Sequence, residues 1–304
     1  MVLRIGTDCA GLESPIQALK KLKIPFKHAW SADIDPNCIK QIKANFKPQI
    51  LFGDPDGPFK NGDITQRDNS KLPDIDLYCC GFPCQPFSRM GKRMGLNDTR
   101  GNVFFSCIDV IKKKKPKMFV LENVKGLLSN DKGRTWEIIW GEILKLQKLG
   151  YSVDWKVLNT KDYGLPQSRS RVYIIGKRNK SIIWPQKCKM RDIKTFVDYS
   201  DKTLTKVSKK QEQYLKKFPK NTFVNLEYIN WDVGQNTRYI HCLMTGSNLW
   251  CVPLHRHANV KELCSLQGLN FKNVVGIDRF KKQVGNSMSI NVLEKLFQSN
   301  LKNV

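Results

Sequence analysis

Short apolar runs recur through the first 180 residues, and between them apolar side chains fall every three or four positions. This alternation predicts strands and helices in turn, giving an α/β fold whose parallel sheet is covered on both faces. The strands expected are Leu3 to Thr7, His28 to Ala32, Ile50 to Phe52, Ile75 to Cys80, Met118 to Leu121, Val153 to Leu158 and Val172 to Ile175. Helices are expected from Pro15 through Leu22, from Pro36 to Phe46, near Val103 to Lys113 and from Trp136 to Leu149. Prolines open two of them, where a missing N–H costs nothing. Lys112 to Lys115, ahead of Pro116, reads as a solvated helix end.

From Lys180 the rhythm breaks, and lysines, aromatics and polar residues mix without a clear period until about Val252. A helical pattern returns at Val260 to Gln267, stopped by Gly268, and Ser289 to Phe297 has the spacing of an amphipathic helix. The expected organisation is a main domain over residues 1–180, a smaller irregular domain over 181–275, and a return to the main domain over 276–304.

Composition narrows the partners. The 304 residues carry 52 Lys+Arg against 27 Asp+Glu, a formal net charge of +25, which favours a polyanion and nucleic acid first. A lysine-rich surface with no partner is the competing explanation. The ten cysteines are scattered, and nothing at Met1-Val2-Leu3-Arg4 reads as a signal peptide, so a reducing intracellular setting is expected. Cys79, Cys80 and Cys84 cluster, but His28, His241, His255 and His257 supply no tetrahedral spacing; no metal is expected. The apolar runs are too short to cross a bilayer, so no membrane is expected either.

Three segments carry candidate chemistry. Gly81-Phe82-Pro83-Cys84-Gln85-Pro86-Phe87-Ser88 follows one apolar run, Glu122-Asn123-Val124 ends another, and Gln167-x-Arg169-x-Arg171 opens a third. A thiol, a carboxyl and a guanidinium gathered at strand ends suit attack on a flat heterocycle. Most free cysteines are packing groups; the Pro-Cys-Gln setting singles out Cys84, whereas Cys79 and Cys80 sit inside the strand. Glu122 follows Phe119-Val120-Leu121, where a buried acid without purpose would be costly. Arg169 and Arg171 share a face if one strand carries both. A second constellation is the turn around Gly11 with Asp33 at the end of the second strand, the place where open sheets bind nucleosides.

With these motifs in this order, the chain resembles the DNA cytosine-5 methyltransferases of restriction-modification systems. The resemblance runs from residue 3 to about 297. It implies a Rossmann-like fold, S-adenosylmethionine as methyl donor and double-stranded DNA as substrate, with the target cytosine flipped out of the stack. By resemblance Cys84 is the nucleophile, Glu122 the acid at ring nitrogen 3, Arg171 the ligand of the 2-oxo group and Arg169 its support. The donor would be held by Cys9, Ala10, Gly11, Leu12, Asp33, Ile34, Asp63, Ile64, Pro83, Val103, Asn286 and Ser287. Asp33 would take the ribose, Asp63 the adenine amino group, and Ile34 the place of a stacking aromatic. Residues 1–180 then form the catalytic and cofactor-binding domain and residues 181–275 the target-recognition domain. A monomer is expected.

The chain departs from the family in its first turn, where Cys9 replaces a phenylalanine and Glu13 and Ser14 replace glycines. Asn259 and Lys261 also differ in Arg256-x-x-Asn259-x-Lys261-Glu262-Leu263, while Gln283-Val284-Gly285-Asn286-Ser287-Met288 matches the closing motif. Ser88 to Gly101, with Arg89, Lys92, Arg93 and Arg100, reads as a basic loop able to close over a flipped base. Arg191, Lys206, Lys209, Lys210, Gln235, Asn236 and Arg238 are available for DNA contacts. Two alternatives remain. One is a tRNA cytosine-5 methyltransferase, although that branch carries Pro-Pro-Cys and Cys-Phe-Thr motifs absent here. The other is a DNA-binding descendant that has lost catalysis.

Overall fold

A computed structural model describes residues 2–83, 103–230 and 234–301. Cys84 and the glycine-rich basic segment from Ser88 to Gly101 lie outside the described residues.

Seven strands form the main sheet: β1 (Leu3–Asp8), β2 (Phe26–Ala32), β3 (Ile50–Phe52), β4 (Leu77–Gly81), β5 (Met118–Val124), β6 (Tyr151–Asn159) and β8 (Ser170–Arg178). Their order is β3-β2-β1-β4-β5-β8-β6. The expected strands and helices are all present, within a few residues of the expected bounds. The all-parallel sheet needs correction, because β8 runs antiparallel to both β5 and β6. Only short turns separate β6 from β8, and a parallel pairing would have needed a long crossover. The central strands are buried on both faces, which is why they read as continuous apolar runs and not as alternation.

Helices cover the two faces: α1 (Ser14–Lys21), α2 (Pro36–Asn45), α3 (Val103–Lys114) and α4 (Arg134–Leu144). The helix expected through Leu149 finishes as a 3-10 turn over Lys145–Leu149, ended by Gly150 in a left-handed conformation. One core layer packs Phe104, Ile108, Ile111, Ile139 and Ile143 under the sheet. The other joins α1 to the C-terminal helix α8 (Ile290–Asn300) and to α6 (Val260–Gln267), so the chain's end closes the face its beginning opened. Helix α7 (Ile277–Asn286) carries the closing motif back toward the first strands; no helix had been expected there.

The 181–275 region has its own small antiparallel sheet of β9 (Phe223–Asn225), β11 (Leu249–Cys251) and β12 (Arg256–His257). A separate apolar cluster of Tyr214, Val224, Leu226 and Trp250 packs it, with Tyr214 from α5 (Lys209–Leu215). β10 (Ile240–His241) pairs with β7 (Gln167–Ser168) and ties this region to the strand ends of the main sheet. Among the described residues no helix is long and apolar enough to cross a membrane.

Candidate active site

The first turn is built from three residues with positive φ: Cys9, Gly11 and Glu13. Glu13 stands where a glycine would relieve strain, and it is fully buried. Its carboxylate accepts hydrogen bonds from the hydroxyls of Thr7, at 2.9 Å, and Ser31, and lies 3.4 Å from His28 Nε2. A buried acid with polar partners on both neighbouring strands holds this turn in place of a flexible glycine. Ser14 Oγ donates to the Met288 carbonyl and fastens the turn to the closing motif.

Asp33 leaves β2 with both carboxylate oxygens engaged, accepting from the backbone N–H of Gly11 and of Asp35, each at 2.8 Å. Burial pushes its carboxyl up to about 6, against those two N–H groups, which favour the charge. Asp63 caps a short helical turn, Ile64–Gln66, through Thr65 N and Thr65 Oγ1. A Cβ on Gly62 would come 2.0 Å from the Asp33 carbonyl oxygen, so only glycine lets the Asp63 loop approach the Asp33 loop. Arg67 anchors the same loop from below, forking onto the buried Asp8 at 3.0 and 2.8 Å. Ile34, between Asp33 and the α2 cap Asp35, is 77% exposed and offers an apolar surface at the rim.

β4 and β5 lie in register so that Gly81 pairs with Glu122. Asn123 Nδ2 donates to the Phe82 carbonyl at 2.7 Å, fixing the backbone two residues ahead of Cys84. Glu122 is 8% exposed, and its Oε1 lies 3.4 Å from Arg171 Nε without hydrogen-bond geometry. Burial pushes its carboxyl up against the opposing pull of Arg171 and Arg169. A buried carboxyl oxygen with no hydrogen-bond partner among the described residues, beside a guanidinium, is a group poised for a ligand.

Arg169 and Arg171 do not share a strand. Arg169 falls in the gap between β7 and β8, with its N–H bonded to the Gln167 carbonyl. Its side chain, 2% exposed, donates to the carbonyls of Leu243 (2.9 Å), Gly285 (3.0 Å) and Ser287 (2.7 Å). It binds the 181–275 region and the closing motif to the main sheet. Arg171 faces Glu122 instead.

One cavity of about 880 Å³ joins these parts. Cys9, Gly11, Asp33, Ile34, Asp63 and Ile64 line one portion; Pro83, Val103, Glu122, Arg169, Arg171, Asn286 and Ser287 line the rest. Ala10 and Leu12, in the same turn, point into the core and do not line it. Cys38 and Gln283 line it without having been singled out, and Gln283 Nε2 donates to Cys38 Sγ at 3.5 Å while its Oε1 has no partner among the described residues. The Gln283-Val284-Gly285 motif held the signal for Gln283; nothing in the sequence marks Cys38. Of the residues considered for DNA contact, Gln235 is spent on Tyr214 and Asn225, and Asn236 on the Arg238 N–H, while Arg238 is exposed.

The family of C-5 cytosine-specific DNA methylases matches residues 7–248. The type II methyltransferase M.NgoBI of Neisseria gonorrhoeae is 37% identical over 283 residues, covering 88% of this chain and 84% of the relative. M.NlaIV of Neisseria lactamica is 41% identical over 167 residues, 53% of this chain, and the match spans only 37% of that longer relative. Among solved structures, DNMT2 of Spodoptera frugiperda superposes with a TM-score of 0.70 at 17% identity, covering 99% of this chain and all of that one, which speaks to the fold alone. With a match over most of its length, this chain belongs to the C-5 cytosine-specific DNA methylase family.

Proposed function

We propose that the protein transfers a methyl group from S-adenosylmethionine to carbon 5 of cytosine at a defined sequence in double-stranded DNA, as a monomer inside the cell, either beside a restriction enzyme or alone. The observation that carries this reading is the single cavity shared by Asp33 and Asp63 with Glu122 and Arg171. Residues 1–180 serve catalysis and donor binding, residues 181–275 target recognition, and residues 276–304 return to the first domain.

The cavity suits the donor. Its volume lies in the range of nucleoside-sized sites, Ile34 gives an apolar wall for an adenine, and the partnerless Gln283 Oε1 accepts a further hydrogen bond. Asp33 takes the ribose hydroxyls, Asp63 and Ile64 the base, and Cys9 and Gly11 the turn's share, with Ala10 and Leu12 holding the turn from the core and Pro83, Val103, Asn286 and Ser287 at the methyl end. When bound, the donor supplies an electrophilic methyl group.

The protein's own residues prepare the acceptor. Cys84 thiolate adds to carbon 6 of a flipped cytosine, and the displaced electron pair moves toward ring nitrogen 3. Glu122, whose carboxyl burial pushes up, gives its hydrogen bond or proton there, and Arg171 holds the 2-oxo group where negative charge grows. Loss of the carbon 5 proton and departure of Cys84 restore the aromatic ring. Bisulfite sequencing of plasmid from an expressing host tests the proposal: protected cytosines within one sequence context support it. Unprotected plasmid, or tritium from labelled donor entering tRNA and not DNA, overturns it.

A further inference from the structure

The main sheet has a second charged edge, opposite the cavity. Backbone hydrogen bonds align it: Asp76 N to Arg4 O, Met118 N to Asp76 O, Arg178 N to Lys117 O and Asn179 N to Gly150 O. This is the amino end of β1, β4, β5 and β6 and the carboxyl end of the antiparallel β8. Glu122 lies five residues along β5 from Lys117, roughly 17 Å away at strand rise. A duplex about 20 Å wide presented to the cavity cannot also touch this edge.

Cations crowd the edge. Lys112 and Lys115 end α3, Lys148 lies in the turn before β6, and Arg178 and Lys180 leave β8; all five are exposed. Among the described residues, three nearby acids are already engaged, Asp76 with Arg4 and Lys117, Asp109 with Lys113 and Glu142 with Lys145, while Asp74 acts through its charge on Arg4. The like charge of Lys180, added to burial, pushes Lys177 down. A helix dipole favours lysines in the last turn of α3. It gives no reason for Arg178 and Lys180 at a strand end. From β5 through β8 to β6 the cations span two strand spacings, roughly 10 Å, close to the about 12 Å width of a major groove and so able to meet its phosphate rows.

We infer that this edge, formed by Lys112, Lys115, Lys148, Arg178 and Lys180, is a second, sequence-independent docking surface for duplex DNA, separate from the catalytic cleft. A duplex held there keeps the enzyme on DNA while the cleft searches, the two contacts sharing one long molecule.

The test compares the native chain with a variant carrying Lys112→Glu, Lys115→Glu and Lys148→Glu, and with its Gln counterpart, which removes charge without adding any. Native mass spectrometry with excess 14-base-pair duplex lacking a methylation site should give two duplexes per native chain at low salt and one per variant. The slope of log affinity against log salt for that second duplex should be about 2.7 units shallower in the Gln variant, at about 0.9 per phosphate contact. Single-turnover methylation of a short duplex should be unchanged, while plasmid methylation in excess substrate falls several-fold. Equal stoichiometry and equal salt slopes in all three proteins would overturn the inference and leave a merely solvated edge. So would binding of phosphatidylserine vesicles through these lysines with no second duplex. None of these binding readouts requires methylation, so the inference and the proposed function fail separately.

Discussion

Replacing either arginine of the Gln167-x-Arg169-x-Arg171 motif by lysine should produce opposite failures. Arg169 forks onto three buried carbonyls, Leu243, Gly285 and Ser287. A lysine ammonium is a single point and cannot span them, so at least two charged donors are lost, at about 1.5–3 kcal/mol each. The expected cost of about 3–6 kcal/mol is a large part of an ordinary protein's stability and corresponds to a melting temperature lowered by about 6–12 °C. Among the described residues Arg171 bonds its neighbour's carbonyl and a sulfur, and otherwise faces Glu122. Arg171→Lys should melt within about 2 °C of native yet lose about 100-fold or more in single-turnover methylation, as for one aimed donor at a developing charge. Differential scanning calorimetry and single-turnover rates, measured well below the melting temperature, separate the two. If Arg169→Lys melts like the native protein, or Arg171→Lys unfolds as readily as Arg169→Lys, the assignment of one arginine to architecture and the other to substrate is refuted.

Four further outcomes follow from the same geometry. Because burial raises Asp33 to about 6, the folded state holds more protons than the unfolded one between about pH 4 and 6, so stability falls as pH rises through that window, by up to about 1.4 kcal/mol per unit. As Asp33 ionises near pH 6, S-adenosylhomocysteine should bind about 10-fold more tightly at pH 7 than at pH 5 by calorimetry, since only the ionised carboxylate accepts from both ribose hydroxyls; a flat profile would remove Asp33 from donor binding. Ile34→Ala should weaken that ligand by about 5- to 30-fold, from about 1–2 kcal/mol of lost apolar contact, without moving the melting temperature. Glu13→Gly restores a permissive turn residue, worth about 1 kcal/mol, but strips Thr7 and Ser31 of a charged partner; denaturant titration should find a net loss of about 2 kcal/mol, and a stabilised variant would show that the buried acid is not holding the turn.

Much of the fold was legible because the central strands are buried on both faces and read as unbroken apolar runs between helical spacings. The reversed direction of β8 was not, since a two-sided buried run such as Val172 to Ile175 reads the same either way. Local motifs exposed the site: the run from Gly81 to Ser88, Glu122-Asn123 near the end of β5 and the closing Gln283 to Met288 at the end of α7 are each legible from residue order alone. Cys38 stayed hidden because it lies in the first turn of α2, in a pattern that any small apolar residue would fit. The separate duties of Arg169 and Arg171 stayed hidden too, because the break between β7 and β8 depends on β10 pairing with β7, a contact some seventy residues distant in the chain. In the sequence Glu13 is only a departure from the family's glycine; its partners on β1 and β2 become visible when the strands stand side by side.

The central claim is that the Cys84 sulfur adds to a cytosine ring held between Glu122 and Arg171. A duplex carrying 5-fluorocytosine at the methylated position blocks the final proton loss, so incubation with S-adenosylmethionine should leave a stable protein–DNA adduct, mapped by peptide mass spectrometry to Cys84 and absent from Cys84→Ser. No adduct from a protein that binds both duplex and donor, or an adduct on another residue, would contradict the account.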